Sequence, residues 1–175
     1  MTQQTGDDLQ STKLGEYLLH ELQMIHNALR HDLAICRALG EQIAAGAASQ
    51  HVREQIESLQ TSSLLWKLRV NCLYYCRFVH AHHHIEDVDF FPALRRANPG
   101  LGHVVDKLMA DHRAVSRLLD AIEAGANALL VQEGTTIRTQ VVDALNALAA
   151  DLLAHLTFEE EALGPTILKL EEWPL

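Results

Sequence analysis

The stretch HAHHHIEDVDFFP (His80–Pro92) and, further along, HLTFEEEALGP (His155–Pro165) repeat one frame. His82 is followed by Glu86 four residues on and Pro92 six beyond that; His155 is followed by Glu159 and Pro165 at the same steps. A His and a Glu at i and i+4 lie on one helix face a turn apart, so both side chains reach a single point inside a bundle. That is the geometry of a metal-ligand pair. Upstream of each pair a single His stands in an amphipathic stretch, His26 and His112, so the order along the chain is His, His-x3-Glu, His, His-x3-Glu.

Working outward, the periodicity predicts four long helices. Leu18, Leu22, Ile25, Leu29, Leu33 and Cys36 recur at three or four residues within a first helix from about Leu14 to Ala44. Small residues around Gly46–Ser49 break it. A second pattern starts in the fifties, runs through Leu64, Leu68, Leu73 and Val79 into the His-rich stretch, and ends at Asn98-Pro99-Gly100. Pro92 inside it predicts a kink or a restart as a short helix. A third helix, with Val104, Leu108, Val115, Leu118, Leu119 and Ile122 on one side, is expected to end near Gly125, before a loop around 133–136. The fourth, from about Ile137 to Leu163, is expected to close at Pro165. Short connections point to an all-α, antiparallel up-down-up-down four-helix bundle, whose core collects ligands from facing helices. Residues 1–13 are expected to be a flexible N-terminal segment, 14–165 the bundle and 166–175 a tail; Trp66, Trp173 and the apolar end of the chain are expected to pack within the chain.

Bulk properties bound the function. At 175 residues, 48% hydrophobic and with four Pro, the chain suits one helical domain with its own core. A formal net charge of −9 and no Lys/Arg cluster argue against nucleic acid as a partner. The polar, acidic start and the lack of a run of roughly 20 apolar residues argue against secretion and membrane insertion, so a cytoplasmic protein is expected, as monomer or homodimer. Cys36, Cys72 and Cys76 then read as buried, inert thiols rather than disulfide partners.

The carboxylates weigh more than the histidines. Glu86 and Glu159 fall where the pattern points inward, and a buried ionised carboxylate costs several kcal/mol unless paired or metal-bound. No core-facing Lys or Arg accompanies either pair, whereas His26, His82, His112 and His155 supply imidazoles. Within the triplet His82-His83-His84, at about 100° per residue, only part can face the core. His82 matches the repeated frame, with His83 in reserve. His80 could orient a ligand; Asp87, Asp89, Glu160 and Glu161 read as a solvated acidic face. Imidazole with carboxylate and no thiolate suits iron, and also zinc, manganese or copper. Six such ligands crowd one ion, so two ions bridged by the carboxylates and an oxo or hydroxo group are the more natural fit.

These residues resemble the haemerythrin-like (HHE cation-binding) family, from about His20 to Pro165. HAHHHIEDVDFFPALR (His80–Arg95) is the most specific segment, and IHNALRHDL (Ile25–Leu33), ADHRAVSRLLDAI (Ala110–Ile122) and AHLTFEEEALGP (Ala154–Pro165) resemble the other ligand-bearing helices; the HxHHxxED arrangement is similar to bacterial, actinobacterial-type members. The resemblance implies two non-haem iron ions held by His26, His82, Glu86, His112, His155 and Glu159. It also implies dioxygen, hydrogen peroxide or nitric oxide as ligand, with catalase-like peroxide decomposition or nitric oxide chemistry as the enzymatic options. Unlike the oxygen carriers, this chain has Leu108 and Ser116, not a second His, a turn either side of His112, which leaves a ligand to be replaced by His83, His80 or Tyr75. Tyr74 or Tyr75 could donate a hydrogen bond to a bound oxidant. The alternative reading is a non-catalytic metal-binding or redox-sensing module acting through a partner protein.

Overall fold

The structure, a computed structural model, describes residues 11–45, 64–131 and 134–173. Four long helices dominate them: α1 (Lys13–Ala44), α2 (Leu64–Ile85), α4 (Gly102–Val131) and α5 (Thr135–Ile167), with a short α3 (Phe91–Ala97) between α2 and α4. Among the described residues there is no strand. Each long helix packs on two others, α1 on α2 and α5, α4 on α2 and α5, so the four close a ring around a shared core. The expected N-terminal segment falls largely outside the described residues, as do the start of the second helical pattern and His51; on α2 only the backbone is described at Trp66 and Cys72.

Two apolar clusters fill the ring. Leu29, Leu33, Val79, Val115, Leu119, Leu148 and Leu152 belong to one, and Leu22, Phe91, Leu94, Leu108, Leu163 and Ile167 to the other. The putty between them is polar: His26 stands between Leu22 and Leu29, Glu86 between Val79 and Phe90, His112 between Leu108 and Val115. Burying the two clusters supplies the hydrophobic drive, about 25 cal/mol for each Å² of apolar surface removed from water, and fixes the depth of that layer.

Three element ends depart from the sequence expectations, each for a packing reason. α4 continues to Val131, past Gly125, because that glycine is a point of close approach rather than a stop: a Cβ there would lie 2.5 Å from Val141 Cγ2 of α5. α5 carries Pro165 inside its last turn and ends at Ile167, since Ile167 and Leu170 are buried in the second cluster and Leu168 N–H donates to the Gly164 carbonyl at 2.9 Å. Between α2 and α3 the chain forms a five-residue π turn, Glu86–Phe90, closed by Phe91 N–H on the Glu86 carbonyl. Pro92 then occupies the first turn of a new short helix, where its missing N–H costs nothing.

α5 is also long and apolar enough to cross a membrane by length and composition, contrary to the sequence reading; here its apolar side packs on α1 and α4. The tail folds back. Trp173 stacks on Phe90 at 5.8 Å between ring centroids, and Leu170 is buried. At the other end Thr12 caps α1, its hydroxyl accepting from Gly15 N–H (2.9 Å), while Thr12 N–H donates to Leu168 O (2.9 Å).

Candidate metal centre

Seven buried polar side chains occur among the described residues, and all stand in the one layer: His26, His82, His83, Glu86, His112, His155 and Glu159. The six expected from the repeated frame are therefore brought together, and His83, held in reserve, joins them. His20, His31, His84 and His103 are exposed. His80 is half-buried, with Nε2 3.5 Å from Asp120 Oδ1, and lines a cavity beside His83 and His112 without joining the buried set. Tyr75 lies in the aliphatic cluster with Cys76 and Leu119, and Tyr74 is 68% exposed. Cys36 and Cys76 are free and buried in that same cluster; burial, with Cys36 beside it, pushes the Cys76 thiol up to about 12, which keeps it inert.

Carboxylates at the rim turn the imidazoles. Glu160 Oε1 accepts from His26 Nδ1 at 2.7 Å and from Arg30 at 2.9 Å; Asp87 Oδ1 accepts from His112 Nδ1 at 2.8 Å. A carboxylate can only accept, so both Nδ1 atoms carry the proton and both Nε2 lone pairs point inward. His155 Nδ1 is 3.7 Å from Asp111 Oδ2, and Lys107 pairs with the same Asp111. Asp87 and Glu160, read from the sequence as solvated, thus hold the rings. The signal was present: each stands immediately after a frame Glu, Glu86-Asp87 and Glu159-Glu160.

Inside the layer the donors lack partners. His26 Nε2, His82 Nε2, His83 Nε2 and all four carboxylate oxygens of Glu86 and Glu159 are buried without a hydrogen bond. His112 Nε2 and His155 Nε2 face each other at 3.1 Å. With nitrogen ligands at about 2.1 Å from a cation, two neighbouring ligands stand about 3 Å apart, so this spacing fits a shared ion; without one, His155 in its Nε2-protonated tautomer donates to His112 Nε2. Glu86 Oε1 is 3.2 Å from His82 Nε2 and Glu86 Oε2 3.5 Å from His112 Nε2; Glu159 Oε2 is 3.6 Å from His26 Nε2 and 3.5 Å from His155 Nε2. Each carboxylate therefore stands between imidazoles from two different helices. Three sets of donors lie within 4.8 Å of one another: His26, His82 and Glu86; His83, His112 and His155; Glu86, His112 and Glu159.

Electrostatics favours the ligating forms of the histidines. Burial holds His26 down to about 3, with Arg30 and His155 adding to it, and His82 to about 3. Burial likewise brings His112 to about 2, His83 lower still, and His155 to about 4 against the opposing pull of Asp111. At neutral pH all five are uncharged. The carboxyls go the other way: burial raises Glu159 to about 8, and burial together with the facing Glu159 raises Glu86 well above the usual range. A dense positive charge between them is what would let both ionise.

The family comparison agrees with the geometry: the Hemerythrin HHE cation binding domain description matches residues 17–167. This chain belongs to the haemerythrin HHE family. No curated protein and no solved structure matches it. For a haemerythrin-family chain, the buried imidazole and carboxylate layer is the expected place for the cation, and its donor set is imidazole and carboxylate without sulfur.

Proposed function

We propose that this chain is a non-haem di-iron protein that binds or turns over a small oxidant, hydrogen peroxide, nitric oxide or dioxygen. The observation that supports this most is the convergence on one buried layer of imidazole nitrogens and carboxylate oxygens from four helices, most of them without a hydrogen-bond partner. Two irons would be held by His26, His82, Glu86, His112, His155 and Glu159, with Glu86 and Glu159 shared between them. Iron so held supplies electron transfer to or from a small oxidant.

The chain's own residues supply the rest. Glu160 and Asp87 fix His26 and His112 in the Nδ1-protonated form, so the ligand nitrogens need no proton loss at neutral pH. The two apolar clusters exclude water from either side, which strengthens every charge interaction within the layer. Among the described residues, two cavities open onto the layer. A cavity of about 410 Å³ between α2 and α4 is lined by His83, His112 and Arg113, and one of about 390 Å³ between α4 and α5 by Asp111, His155 and Phe158.

The antiparallel up-down-up-down course belongs to the same proposal. It is supported by the start of α1 bonding to the end of α5 (Thr12 to Leu168) while Gly40, near the end of α1, lies against Leu145 in the first half of α5. So do the assignment of 14–165 as one bundle domain with 166–175 as its tail, and a cytoplasmic location, which the free, buried thiols of Cys36 and Cys76 favour.

The test is iron loading and the visible spectrum of Glu86→Gln and Glu159→Gln beside the unsubstituted chain. Loss of iron from both variants, with a near-ultraviolet ligand-to-iron band in the unsubstituted chain that changes on adding peroxide or nitric oxide, is the expected result. Equal iron content in all three would sink the assignment of the bridging carboxylates.

A further inference from the structure

His82 and His83 are neighbours in sequence, and side chains one residue apart on a helix diverge by about 100°. Both are nevertheless buried, at 8% and 5% exposure. They manage this by serving different halves of the layer. The His82 ring meets His26 edge-on at 5.3 Å between centroids, whereas the His83 ring stacks on His112 at 3.8 Å and meets His155 edge-on at 5.3 Å. Its Nε2 is buried without a hydrogen-bond partner, and donor atoms of His83, His112 and His155 lie within 4.8 Å of one another.

On the same half α4 contributes one imidazole, that of His112. The positions one turn from His112 are Leu108, fully buried in the apolar cluster, and Ser116, half-buried. Of the substitutes that sequence alone allows, His80 is turned to Asp120 and Tyr75 belongs to the aliphatic cluster. Only His83 among the three stands in the layer.

We infer that His83 supplies a third imidazole to the cation on the His112–His155 side, so that the centre is asymmetric, with His26 and His82 on one ion and His83, His112 and His155 on the other. The rings of His83 and His112 are within 10° of parallel, so a rotation of His83 about its Cβ–Cγ bond is needed to aim both lone pairs at one ion. His83 forms part of the wall of the cavity between α2 and α4, an open side of its ring. The three-imidazole side is also the one that both cavities reach, through His83, His112 and His155; His26 and His82 line neither.

This inference rests on the two-cation reading, and its test is kept separate from iron chemistry by using Co(II) as probe. The metal-free chain, His83→Ala, His83→Gln and the exposed control His103→Ala would be titrated with Co(II) while following the visible d–d bands, with helical circular dichroism to verify folding. The unsubstituted chain and the control should take up about two cobalts. Both His83 variants should bind one as tightly as before and the second at least about tenfold more weakly, a ligand loss costing no less than loss of an outer hydrogen-bond partner. Added imidazole should restore the second-site spectrum in His83→Ala. Superimposable titrations and spectra for all four chains, or equal weakening of both sites in the His83 variants, would overturn the inference; failure of the unsubstituted chain to bind cobalt, zinc or iron would instead remove the two-cation reading beneath it.

Discussion

Glu159 has no exposed surface and no hydrogen-bond donor, and burial holds its carboxyl up to about 8. Without a cation that is a cost to the fold; with one it is a ligand. The two roles make opposite predictions for one substitution. In the metal-free chain at pH 8, Glu159→Gln removes a buried charge and lets the new amide donate to Glu86, so thermal unfolding should show a gain on the order of 1–3 kcal/mol. The same variant should lose iron. A variant destabilised in the metal-free state would show that the carboxylate has a structural partner instead. Asp87→Asn and Glu160→Gln act one step out. Each should weaken cation affinity about 10- to 100-fold with little change in metal-free stability, read by competition with a chelator.

What the sequence allows at this scale is set by helical geometry. His82 with Glu86 and His155 with Glu159 were legible because i and i+4 share a face, and inward carboxylates without a basic partner demand compensation. His83 was not, since adjacent positions diverge on an ideal helix and only the neighbouring rings of His112 and His155 show where it goes. Asp87 and Glu160 were misread because both are partly exposed; their function depends on an imidazole from another helix, a contact that no spacing along one helix contains.

At the scale of elements, the long helices were legible from their three- and four-residue periodicity, but their ends were not. Gly125 and Pro165 look like stops in one dimension; in three, Gly125 lets α4 and α5 approach and Pro165 is carried by the burial of Ile167. The π turn was also hidden, because one extra residue in a turn leaves no compositional mark. It begins at Glu86 and delivers Asp87 and Phe91 to opposite parts of His112, the first to Nδ1 and the second against the ring at 5.3 Å.

Gly15 gives the sharpest test of element packing. A Cβ there would come within 2.5 Å of the carbonyl oxygens of Ile167 and Leu168, backbone that cannot rotate away. Gly15→Ala gains about 1 kcal/mol in helix propensity, yet overpacking of this kind costs about 1–3 kcal/mol. A net loss of stability in urea unfolding is expected; a gain would mean that the junction of α1 and α5 is looser than described.

For the whole molecule, the layer makes metal-free stability depend on pH in two opposing ways. The five buried histidines stay neutral when folded but protonate near 6.5 when unfolded, so stability falls as pH drops below about 6.5. Glu159 keeps its proton up to about 8 when folded but loses it near 4.5 when unfolded, so stability falls as pH rises between those values; Glu86 acts in the same sense. Five histidines outweigh two carboxyls below 6.5 and fade above it, which puts the metal-free optimum between about pH 6 and 7. Bound cations replace the carboxyl protons, so the loaded chain should not lose stability between about pH 7 and 8, and binding near neutral pH should release protons, seen as a buffer-dependent heat in calorimetry. A metal-free chain whose melting temperature is flat from pH 5 to pH 8.5 would contradict the buried, partnerless state of the layer.

The central claim is that this layer holds two irons, and metal analysis tests it most directly. Mass-spectrometric metal content would be measured on chain expressed with iron and purified without a nickel column. The account predicts about two irons per chain, falling to less than one in Glu86→Gln and Glu159→Gln; a chain that carries no iron, or zinc alone, would contradict it.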